Sequence, residues 1–89
     1  MVTYMVECYL PALTLEQLTA SAVQAQDAAE QMSAEGTIVR YLGTTVVRQD
    51  EMWFCLFEAP STHAVADALE RAGITCERIV EAVQLPPRD

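Results

Sequence analysis

The 89-residue chain has no lysine, and its five arginines face 13 aspartates and glutamates, for a formal charge of −8. So acidic a surface repels phosphate backbones and anionic lipid headgroups, which argues against nucleic-acid and membrane partners. It suits a soluble protein and favours cations. The missing lysine, beside abundant alanine, points to GC-rich coding and a bacterial source. Long apolar runs are missing too, so no segment is expected to span a bilayer. The N-terminal MVTYMVECYL has neither a basic n-region nor a small-residue cleavage site, so it does not read as a signal peptide, and the cytoplasm is the expected address. Cysteine is sparse: Cys8, Cys55 and Cys76 are odd in number and show no CxxC spacing, which excludes a disulfide framework and a structural zinc site. They read as small thiols, most plainly so at Cys55. No glycine-rich phosphate loop, HExxH or nucleophile–base–orienter pattern is present.

What is present fits one compact domain over residues 1–89. Hydrophobic residues make up 52% of the chain, and three glycines and four prolines are too few for a disordered one. In residues 3–10 the pattern alternates, with Tyr4, Val6, Cys8 and Leu10 on one face and Met5, Glu7 and Tyr9 on the other, which predicts a strand ended by Pro11. Thr14 and Gln17 fit a capping box, with Leu13 and Leu18 at the staple positions. Leu15, Leu18, Ala22, Ala25, Ala29 and Met32 then form one apolar stripe of a helix stopped at Gly36.

Residues 37–48 are rich in β-branched side chains and predict a second strand, with a bulge or bend at Gly43. After a polar turn at 49–51, residues 52–59 return as a third strand that is apolar on both sides. Met52, Phe54 and Leu56 alternate with Trp53, Cys55 and Phe57, as a strand in the middle of a sheet requires. Pro60 and Ser61 lead into a shorter helix with Val65, Ala68, Leu69 and Ala72 inward, closed by Arg71, Gly73 and Ile74. Residues 78–85 predict a last strand, and 86–89 a frayed tail.

The order β-α-β-β-α-β predicts an α+β, ferredoxin-like sandwich: a four-stranded antiparallel sheet of order 4-1-3-2 with both helices on one face. The other face then exposes large apolar residues, which predicts a homodimer packed sheet to sheet, with any pocket in or beside that interface.

Few residues carry chemistry. Glu7 and Glu58 are ionisable groups on otherwise apolar, neighbouring strands, able to ligate a cation, act as a general base or pair with Arg40. His63, the only histidine, sits where the helix N-terminus disfavours imidazolium, so it reads as a neutral metal ligand or a plain surface residue. Tyr4, Tyr9, Tyr41 and Trp53 are candidates to line a small-molecule pocket or to fill the core. Glu7, Cys8, Glu58 and His63 are the candidate ligands of a transition metal.

YMVECYLP at 4–11, CLFEAPS at 55–61 and ERAG at 70–73 with the strand after it resemble a family of small bacterial nickel-binding proteins, known as a domain of unknown function. The resemblance covers nearly the whole chain and implies a dimeric ferredoxin-like fold. It also implies nickel ligands that are histidines on the first strand and around the ERAG segment. Here Cys8 stands at the first of those places, with Leu69 and Ile74 near the second. Two functions follow: a homodimeric protein binding nickel, another divalent transition metal or a small ligand, or a cofactor-free dimeric α/β-barrel enzyme (monooxygenase, isomerase or cyclase) with Glu7 or Glu58 as base.

Overall fold

The computed structural model describes residues 1–9, 11–12 and 14–88. Its elements follow the expected order: β1 (Val2–Tyr9), α1 (Leu15–Ala34), β2 (Arg40–Val47), β3 (Met52–Ala59), α2 (Thr62–Ala72) and β4 (Arg78–Ala82). The strands pair antiparallel in the order β2-β3-β1-β4, so β3 and β1 are central and β2 and β4 are edges. This is the ferredoxin-like α+β sandwich.

Period-two alternation divides each central strand between the layers. Tyr4, Val6 and Cys8 of β1, with Trp53, Cys55, Phe57 and Ala59 of β3, are buried beneath the helices. The helices meet these large side chains with small ones: Ala25, Ala28 and Ala29 from α1 and Ala64, Ala68 and Ala72 from α2 are buried. Small helix residues let the helix axes approach a sheet of bulky residues without leaving voids. The alternate residues of both strands are only half-buried, apart from Tyr9 at the end of β1, which is exposed.

The helix ends follow their sequence signals. Thr14 Oγ1 accepts from the Gln17 N–H at 3.1 Å while Gln17 Oε1 accepts from the Thr14 N–H at 2.9 Å, a complete capping box. The expected partner of Leu18 in a staple, Leu13, and the expected place of Leu10 on its strand lie outside the described residues. Leu15, expected in the inward stripe, is 61% exposed, and the buried stripe begins at Leu18 and takes in Ala28. Gly36, at φ 109°, ends α1, with the Thr37 N–H on the Met32 carbonyl and the Gly36 N–H on the Ser33 carbonyl. Gly73, at φ 71°, ends α2 with the same two-bond pattern, to Leu69 and Glu70. Arg71 binds both oxygens of Glu35 at 2.8 and 2.9 Å and Gln31 at 3.2 Å, tying the last turn of α2 to that of α1. It thereby offsets an acidic residue at the negative end of α1.

Two strands are shorter than expected because their partners end. Arg40 lies opposite Glu58, and β3 ends one residue later at Ala59, before Pro60, so residues 37–39 have no rung to join. Ala82 lies opposite Thr3, next to the start of β1, so residues 83–85 run on unpaired. Gly43, at φ 134°, marks the expected bulge, where the register shifts between Tyr41 and Gly43 and Leu42 is the extra residue. Among the described residues no helix is long and apolar enough to cross a membrane.

Candidate functional site

Three places gather side chains able to do chemistry: the open face of the sheet, a row of thiols beneath the helices and a cavity at one end of the sandwich.

The open face is set by strand register. Its middle is apolar, with Met5 opposite both Leu56 and Val80, and Phe54 next along β3. Arg78 Nε donates to Glu7 Oε2 at 2.8 Å, and Arg40 lies 3.9 Å from Glu58. Since Glu58 faces Thr3, four residues from Glu7, the two carboxylates are about 13 Å apart along the sheet. They belong to separate ion pairs at opposite edges. A shared cation or a carboxylate dyad is not what this geometry builds.

Beneath the helices, Cys55 lies diagonally across from Cys8, since Val6 is its direct partner. Both thiols are fully buried, whereas Cys76 is half-buried. The adjoining Cys55 thiol and then burial raise Cys8 far above the ordinary thiol range. The Thr44 hydroxyl lies 3.5 Å from Cys55 Sγ and is itself hydrogen-bonded to the Tyr41 hydroxyl. Burial raises the Tyr41 phenol, whose ring tilts against Phe57 with centroids 5.5 Å apart. The Cys8 thiol and the Thr44 hydroxyl in turn lower Cys55 against the cost of its burial, but with no solvent access the pair makes a core with a polar seam rather than a nucleophile.

The cavity lies where the β1–α1 loop, the first turns of α1 and the β2–β3 hairpin meet, and encloses about 350 Å³. Leu15, Leu18, Val46, Met52 and Trp53 form its apolar walls, and Arg48 and Glu51 are the charged groups lining it. The hairpin tip is a single 3-10 turn, Arg48–Asp50, closed by Glu51 in the left-handed conformation at φ 52°. Glu51 Oε2 accepts the Ala12 N–H at 2.8 Å, which latches the hairpin to the loop before α1. Ala12 is also left-handed, at φ 61°, so the two positive-φ residues other than glycine among those described hold each other here. Such conformations persist only where the surroundings impose them. Trp53 is 3% exposed, and its indole N–H has no hydrogen-bond partner among the described residues. An unmet buried donor costs about 1–3 kcal/mol.

The expected site residues therefore disperse. Tyr4, Tyr41 and Trp53 lie on the helix side, Tyr9 on the open side at the end of β1, and only Trp53 lines the cavity. Glu7 and Cys8, as sequence neighbours on a strand, point to opposite layers. His63 is exposed on α2 and takes part in neither carboxylate pair. Arg48 and Glu51 were missed because they belong to a turn. The available signal was Leu15, an apolar residue in the capped first turn of a helix.

A ferredoxin-like sandwich with an apolar open sheet face and an end cavity defines a small α+β domain. The family model described as nickel responsive protein SCO4226-like matches residues 4–82, and the chain belongs to that family. A similar solved structure is that of SCO4226 from Streptomyces coelicolor A3(2), at 27% identity and a TM-score of 0.74, covering 94% of this chain and 99% of that one. No curated protein matches the chain.

Nickel fits this chain poorly. Among the described residues no group of three or more His, Cys, Asp or Glu side chains is placed to hold a metal ion. Cys8 is buried against Cys55, and Leu69 and Ile74 are buried hydrocarbons that offer no donor atom. A nickel site needs several nitrogen, sulfur or oxygen ligands gathered in space.

Proposed function

We propose that this chain is a homodimeric binding protein whose two copies pack through the open faces of their sheets, and that its ligand is a small molecule rather than a nickel ion held by one chain. The open face carries the reading. Met5, Phe54, Leu56 and Val80 make an apolar middle, and its charges, Glu7 with Arg78 and Glu58 with Arg40, cancel. On a molecule of net charge −8 a neutral apolar face is where a second copy can approach without repulsion. The three free thiols suit a reducing compartment such as the cytoplasm.

The enzyme reading needs a carboxylate free to take a proton beside a pocket. Glu7 is hydrogen-bonded by Arg78, Glu58 has Arg40 only at 3.9 Å, and neither lines the end cavity, so binding is the better account. Sedimentation equilibrium and native mass spectrometry, with and without nickel, test it. The expected result is a dimer at micromolar concentration with no stoichiometric metal. A monomer, or one tightly held nickel ion per chain, overturns it.

A further inference from the structure

We infer that the end cavity beside Trp53 is a binding site for a small apolar carboxylate, its hydrocarbon part against Leu18, Met52 and Trp53 and its charged end on Arg48. This names the ligand class of the binding protein proposed above and rests on that reading. The cavity's 350 Å³ falls in the range of small-molecule sites, which are mostly apolar with a few placed polar groups.

The charge pattern selects the ligand's head. Arg40, Arg71 and Arg78 each lie within 4 Å of a carboxylate, whereas Arg48 has no such partner among the described residues, in a chain with 13 acidic side chains. Glu51, the acid nearest in the cavity wall, already accepts the Ala12 N–H. An unpaired guanidinium beside an apolar hollow presents a fork of donors suited to two carboxylate oxygens. Screening over about 8 Å at physiological ionic strength leaves the chain's distant negative charges little weight, so the local charges decide, Arg48 against Glu51 in the same wall. The hydrogen bond from the Ala12 N–H to Glu51, between two left-handed residues, ties the hairpin to the loop at the mouth, which favours a site shaped before the ligand arrives.

Trp53 is the only tryptophan, so all tryptophan fluorescence comes from a residue of the cavity wall. The full chain is titrated with octanoate, octanol and octylamine, while sedimentation of the same samples reads the oligomeric state separately. The expected result is a saturable change with octanoate and a much weaker one with octanol or octylamine. Arg48 is exposed, so Arg48→Gln should fold normally; it is expected to weaken octanoate about tenfold and leave octanol unchanged. Leu15→Gln should weaken octanoate and octanol alike. No saturable response to octanoate, equal binding of octanol, or an unchanged Arg48→Gln variant overturns the inference. A dimer that ignores octanoate refutes the ligand class and leaves the dimer standing; a monomer that binds octanoate does the reverse.

Discussion

The two faces of this sheet have nearly the same raw material and different fates. Each central strand sends large apolar residues both ways, Trp53, Cys55 and Phe57 to one side and Met52, Phe54 and Leu56 to the other. Under the helices the residues of β3 are fully buried; on the open side they are half-buried, and every charged side chain of the two central strands lies there. The difference is the partner. A helix layer of alanines completes one face inside the chain, whereas the other has a core's composition and no cover from its own chain. Stability should therefore depend on one face, and association on the other.

Phe57→Ala is the largest expected break in that comparison. Phe57 is fully buried, and removing its ring leaves a cavity that alanine-rich helices cannot collapse to fill, at about 3–5 kcal/mol in urea unfolding. Phe54→Ala should cost the isolated chain clearly less, because its ring is already half in water. Equal losses for the two rings would mean that the faces do not differ in kind.

Leu56→Asp sharpens the comparison from the other side. At the middle of the open face it places a carboxylate where the proposed partner copy packs, which should raise the dimer dissociation constant at least a hundredfold, about 2.7 kcal/mol. Sedimentation equilibrium reads this directly, and circular dichroism should show the chain still folded. A variant that dimerises as well as the parent would move the interface elsewhere.

Much of this was legible in the sequence. The element order, the capping box at Thr14, the bulge at Gly43 and the glycine stop at Gly73 all come from local chemistry, and local chemistry is what neighbouring residues encode. The layer that meets the helices was also within reach. Glu7 shares its alternation with Met5, and Glu58 shares its own with Leu56, so the two carboxylates mark one common face as open. The end cavity was not legible. It depends on Ala12, Leu15, Arg48 and Trp53 converging from segments up to some 40 residues apart, and Leu15 reads as core until the sheet is seen to end before it. The last strand shows the same limit, since residues 83–85 have strand chemistry and no neighbouring strand to pair with.

Two smaller tests probe the helix layer that makes the faces unequal. Thr14→Ala removes the side chain that receives the Gln17 N–H and should cost about 1 kcal/mol, read as a lower urea midpoint with an unchanged slope.

The smallest effect is acid-sensitive. The hydrogen bonds from Arg71 hold the Glu35 carboxyl below its usual range. A carboxylate depressed in the folded state binds its proton more readily when the chain is unfolded, so its contribution is complete above about pH 4.3. It is then lost as the pH falls through the lower folded value. Both groups are largely in water, so the loss should be small and should shrink further in high salt. Urea unfolding from pH 7 downward for the parent and for Arg71→Gln reads it, together with the weaker contact of Arg71 Nε with Asp67 at 3.4 Å. The variant should be slightly less stable at pH 7, and the gap should narrow as the pH falls through the depressed folded value, where Glu35 takes up a proton and loses the charge that Arg71 binds. A gap that is constant with pH would assign Arg71 to packing between the helix ends rather than to its ion pair.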